Sequence, residues 1–130
     1  MNPDIKAQWV AALRSGEYRQ GKHVLHNVDE DTYCCLGVLC DLAVKAGVIT
    51  ETTEEFNVTV NGDITVYGVN GDKLDQGGAI LPVEVMAWAH LDHANPDAAD
   101  DDREVSLADW NDDMRYTFED IARLIEANDL

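Results

Sequence analysis

The chain has 130 residues, 45% of them hydrophobic, and carries 26 Asp/Glu against 9 Lys/Arg, a formal net charge of -17 at pH 7. That length supplies one real core and is too short for two, so a single domain over residues 1–130 is expected. A surface this acidic repels nucleic-acid phosphates and anionic lipid, which argues against direct DNA, RNA or membrane binding and for a protein partner with a basic surface.

The acid is unevenly placed. Residues 1–28 hold 4 Lys/Arg and 2 Asp/Glu, whereas residues 29–91 hold 2 against 11 and residues 92–130 hold 3 against 13. No apolar run approaches the roughly 18 to 20 residues of a membrane span. The opening MNPDIKAQW lacks the basic-then-apolar pattern of an export signal, so a cytoplasmic protein is expected. Three cysteines without that signal read as reduced thiols rather than a disulfide framework.

In chain order, Asn2-Pro3 opens a helix, with Asn as N-cap and Pro at the first helical position. Ile5, Trp9, Ala12 and Leu13 recur at helical spacing before Ser15-Gly16 ends it. A short strand is expected at His23 to Leu25. Asp31 and Thr32 then suit the cap of a second helix from Tyr33 to Ala46, closed by Gly47. Phe56, Val58 and Val60 alternate with polar residues, as do Ile64 and Val66 after Asn61-Gly62, and Asn-Gly between alternating segments signals a β-hairpin. Asn70-Gly71 and Gly77-Gly78 mark further turns. Leu81-Pro82 opens a third helix with Val83, Met86, Ala87 and Leu91 on its inner face. Residues 93–104, HANPDAADDDRE, have the composition of a flexible, solvated acidic loop. Thr117 and Asp120 form a capping-box signature for a last helix carrying Phe118, Ile121, Ala122, Leu124 and Ile125. The expectation is an α+β domain of about four short helices packed on a small antiparallel hairpin or sheet.

The stretch TYCCLGVLCDLAVKAG, Thr32 to Gly47, raises a question of chemistry. Projected at about 100° per residue, Cys35 and Cys40 are about 140° apart on a broad apolar surface and cannot converge on a metal, and no CxxC or HxxxH pattern accompanies them. Cys34 falls on the polar edge with Asp41 and Lys45 and is expected to be the accessible thiol. A cysteine in the first helical turn feels the positive end of the helix dipole, which favours thiolate. Papain-like hydrolases place their nucleophile there, and Gln20 could imitate their oxyanion donor while His90 or His93 imitates the base. The imitation is loose, since no Cys-Trp pair follows the thiol. The packing reading is stronger, because free cysteine behaves mostly as a small buried hydrophobe. Asp97, Asp100, Asp101, Asp102 and Glu104 lack the spacing and later glutamate of an EF-hand loop, and no cofactor or metal is expected.

Four blocks carry a resemblance: WVAALRSGEYRQG (Trp9 to Gly21), YCCLGVLCDLA (Tyr33 to Ala43), LPVEVMAWAHL (Leu81 to Leu91) and LADWNDDMRYTFEDIARLIE (Leu107 to Glu126). As a set they resemble a family of small uncharacterised phage and prophage proteins of the actinobacteriophage kind. The resemblance implies an accessory protein acting in the bacterial host cytoplasm, and carries no catalytic residues across. The leading expectation is therefore a protein that binds and modulates or inhibits a host factor through an acidic surface, with DNA mimicry one version of it. Candidate partner-binding residues are Asp97, Asp100, Asp101, Asp102, Glu104, Asp112 and Asp113. The rivals are a cysteine-dependent hydrolase or transferase using Cys34 or Cys35, and an oligomeric sponge for a host signalling nucleotide. Self-association is compatible with any of them.

Overall fold

The computed structural model describes residues 1–56, 62–68, 79–113 and 115–130. The chain runs α1 (Pro3–Arg14), β1 (His26–Asn27), β2 (Thr32–Tyr33), α2 (Cys35–Lys45), β3 (Thr50–Phe56), β4 (Gly62–Gly68), α3 (Val83–Ala89), β5 (Asp97–Asp100), β6 (Arg103–Ser106), α4 (Leu107–Asp112) and α5 (Phe118–Ala127). One antiparallel sheet has the order β2-β1-β4-β3 and a second pairs β5 with β6. This is the expected α+β arrangement, with five helices among the described residues.

Local chemistry sets the helix ends. The Asn2 side chain accepts from the N–H groups of Asp4 and Ile5, and Gly16 leaves α1 at φ +77°. The α2 helix is followed by Gly47 at φ +75°, a left-handed position that glycine takes without steric cost. Thr117 and Asp120 complete the capping box of α5 in both directions. That helix lays its apolar face against α1, while Arg14 reaches from α1 to Glu119 and Glu126.

Several boundaries differ from the sequence expectation. The cysteine helix starts at Cys35, not Tyr33, because Thr32 and Tyr33 pair with Asn27 and His26 as a strand. The expected strand at His23 to Leu25 is displaced to His26–Asn27. The first strand of the long hairpin is Thr50–Phe56, in register from Thr50 opposite Gly68 to Phe56 opposite Gly62. Val58, Val60, the Asn61 turn position and the turns expected at 70–71 and 77–78 lie outside the described residues.

In α3 the buried positions are Val85 and Ala89, while Val83 is 65% exposed and Ala87 is exposed. The inner face is therefore shifted from the expected one. Leu91 is buried only after the chain leaves the helix through His90 at φ +55°. Residues 97–106, expected within or beside a solvated loop, form a β-hairpin instead. Its register sets Ala98 opposite Val105, and strand alternation turns this pair inward. Two small apolar residues sufficed because the indole Nε1–H of Trp110 donates to the Ala98 carbonyl at 2.9 Å and seals the hairpin to α4. The α4 helix itself, whose apolar content is Leu107, Ala108 and Trp110, was too short for periodicity to reveal.

The core gathers around α2, whose Cys35, Leu36, Val38, Leu39, Cys40 and Ala43 are fully buried. Trp9 from α1, Leu107 and Trp110 from α4, and Ile121 and Ile125 from α5 belong to the same cluster.

Candidate functional site

The first place to look for chemistry is the N-terminus of α2. Cys34 is its N-cap residue, with extended backbone angles (φ -79°, ψ 170°), so the helical projection that set it beside Asp41 does not apply to it. Its side chain is 3% exposed and Cys35 is fully buried. This corrects the expectation of an accessible Cys34. Burial pushes the Cys34 thiol up to about 12, against a weaker opposite pull from the first-turn N–H groups of Gly37 and Leu36. Burial likewise raises Cys35 and Cys40 well above the ordinary thiol value.

The partners that a nucleophile would use are already committed. Asn111, 1% exposed, accepts the Cys35 N–H on its Oδ1 at 3.0 Å and donates from Nδ2 to the Gly21 carbonyl at 2.8 Å. Gln20 donates its amide to the carbonyl of Tyr116 at 3.0 Å and to Asn111 Oδ1 at 3.3 Å. Rather than facing a substrate, it ties two loops together. The Cys35 thiol points at the Leu107 carbonyl, 3.5 Å away. His90 caps the exposed end of α3, where the Ala89 carbonyl accepts the Asn2 N–H, and His93 borders a separate cleft with Pro96 and Asp129. The histidine brought to the Asn111 region is His23, whose Nδ1 lies 3.3 Å from Asp112. It is exposed and belongs to the loop before β1.

The same loop passes tightly over α2. A Cβ on Gly37 would sit 1.8 Å from the Leu25 carbonyl oxygen, and one on Gly21 would sit 2.3 Å from the Thr32 hydroxyl. Leu25 O also accepts the Cys34 N–H at 3.2 Å. The glycine inside the cysteine motif is there because another strand of backbone lies against it. Beside this knot a cleft of about 250 Å³ is lined by Gln20, Gly21, Lys22, Asn111, Asp113, Tyr116 and Thr117.

The acidic candidates divide into two groups. Asp112 and Asp113 are held within the fold: Asp112 accepts the backbone N–H of His23 at 3.2 Å, and Asp113 pairs with Arg103 at 3.0 Å and Arg115 at 2.9 Å. Hydrogen bonds from Arg115, followed by those from Arg103, hold the Asp113 carboxyl well below the usual carboxylate range. Both side chains keep part of their surface in solvent, 28% for Asp112 and 16% for Asp113, while making these contacts within the chain. Asp97, Asp100, Asp101, Asp102 and Glu104 are exposed on the β5–β6 hairpin. Arg103, the cation among them, is drawn aside over the Trp110 ring, 4.5 Å from its centroid. This leaves the hairpin tip as a concentrated patch of carboxylates.

The residues that organise the thiol end of the fold, Asn111, Gln20 and His23, came only partly from the sequence. Asn111 lies within the block Leu107 to Glu126, yet only its long-range pairing with the Cys35 N–H shows that it caps another helix.

Together these features define a small α+β domain whose polar knot serves the fold and whose exposed chemistry is carboxylate. The chain matches, over residues 1–129, a family described as a domain of unknown function (DUF8296), and it belongs to that family. No curated protein and no solved structure matches it.

Proposed function

We propose that this protein is a phage-encoded accessory protein of the bacterial host cytoplasm that binds a basic host protein through its acidic surface and modulates or inhibits it. The observation that carries the reading is the β5–β6 hairpin, where Asp97, Asp100, Asp101, Asp102 and Glu104 face solvent while Arg103 is withdrawn onto Trp110. A field from net charge -17 accelerates encounter with a basic surface and is weakened by salt. The resemblance to phage proteins supports the setting. DNA mimicry is the version in which these carboxylates occupy a groove built for phosphates.

Burial of all three cysteines removes the support that the thiol nucleophile reading drew from an accessible Cys34.

The reading is tested by expressing the chain and a variant with Asp97, Asp100, Asp101 and Asp102 changed to Asn and Glu104 to Gln in a bacterial host. The wild-type chain alters host growth or phage yield and the neutralised chain, folded by circular dichroism, does not. Equal effects from both would remove the acidic surface from the account.

A further inference from the structure

A second feature of the surface lies on other elements. Tyr18, Tyr33 and His26 make a continuous aromatic strip: Tyr18 and Tyr33 meet edge to face with centroids 5.1 Å apart, and Tyr33 stacks on His26 at 4.0 Å. All three are partly exposed. Carboxylates surround them. Asp41 accepts a hydrogen bond from the Tyr18 hydroxyl, Asp31 lies 3.0 Å from His26 Nε2, and exposed Glu51 stands on β3 of the same sheet as Tyr33 and His26. A cation already sits at one end. The Lys45 ammonium lies 3.0 Å from Asp41, 3.1 Å from the Tyr18 hydroxyl and 5.4 Å from the Tyr18 ring centroid. Lys45 is nevertheless 63% exposed on its side chain, whereas Asp41 is 15% exposed. The chain's own ammonium thus occupies a cation position formed by a half-buried carboxylate and the hydroxyl edge of an aromatic ring, and an exposed lysine can be displaced from it.

We propose that the Tyr18–Tyr33–Asp41 patch is an anchor point for an arginine side chain of a basic protein partner, with Lys45 as its intramolecular occupant in the free protein. This rests on the acidic-surface reading and adds where the partner's cation is held. Arginine fits better than lysine because its planar guanidinium can lie on an aromatic ring while pairing with a carboxylate. An aromatic centre rimmed by charge is also the usual composition of a binding hot spot. The hairpin carboxylates then act at long range to draw a basic surface in, and the aromatic patch fixes one side chain at short range.

The test uses the full chain, isotopically labelled, titrated with a short arginine-rich peptide and with a matched lysine-rich one. Chemical-shift changes are expected at Tyr18, Tyr33 and Asp41, with the arginine peptide binding more tightly. Tyr33→Ala weakens binding about tenfold, equivalent to about 1.4 kcal/mol. Lys45→Ala, an exposed change that leaves the fold intact, tightens it about fivefold by vacating the position, while Arg123→Ala removes the same charge elsewhere and changes it less than about twofold. Neutralising the five hairpin carboxylates changes short-peptide affinity less than about threefold. Shifts confined to the hairpin would overturn this inference and leave the acidic-surface reading standing. Equal tightening by Lys45→Ala and Arg123→Ala would also overturn it, because net charge alone would then explain the effect. No binding of either peptide would remove both.

Discussion

Asn111 is one buried amide with three tasks: it caps α2 through the Cys35 N–H, receives the Gln20 amide, and holds the Gly21 carbonyl. Replacing it by Ala leaves the buried Cys35 N–H and the part-buried Gly21 carbonyl without these partners. Asn111→Ala is expected to cost about 2 to 3 kcal/mol in urea unfolding; a loss under about 0.5 kcal/mol would show that water replaces it. Cys34 tests the same region by chemistry. With its folded-state value raised from 9.0 to about 12 by burial, the native state holds its proton where the unfolded chain has lost it. This contribution to stability is complete below pH 9 and is lost as pH rises towards 12. Iodoacetamide at neutral pH should therefore label the thiols at the rate of protein opening, and fast labelling of the native protein would revive a reactive Cys34. The cysteines were legible from the sequence as packing residues. Their depth was not, because Cys34 leaves helical geometry at the N-cap, where angular projection stops being valid.

At the scale of elements, the helices with a cap and an apolar stripe were readable from residues alone. Asn2-Pro3, Gly47 and the Thr117–Asp120 box each stand where the chain starts or stops a helix. Elements built from pairing were less readable: β1 and β2 have two residues each, and β5–β6 has Ala98 and Val105 as its inward pair. Their signal lies in distant partners such as Trp110, not in local alternation. Thr117→Ala removes the cap acceptor of α5 and is expected to lower stability by about 1 kcal/mol, measured by denaturant midpoint at unchanged slope. Gly37→Ala is far more severe. Its Cβ would overlap the Leu25 carbonyl, and backbone against backbone has no rotamer to yield, so about 3 kcal/mol or more is expected to be lost. A well-folded Gly37→Ala protein by thermal melt would show that the loop over α2 can lift away.

For the whole molecule, charge dominates behaviour. The exposed ion pairs, such as Arg14 with Glu119 and Glu126, contribute little individually and do not offset a net charge of -17. Self-repulsion of that size destabilises the compact state and is screened by salt. Raising NaCl from about 20 mM to about 0.5 M should raise the melting midpoint by about 4 °C for each kcal/mol of repulsion removed. The same surplus of carboxylate is what a basic partner would meet. Affinity capture from a bacterial host lysate, read by mass spectrometry for the wild-type and hairpin-neutralised chains side by side, tests this most directly. The account predicts one basic protein retained by the wild-type chain, released by salt, and recovered at least about tenfold less with the neutralised chain. Recovery of the same partner in equal amount by both chains, independent of salt, would contradict it.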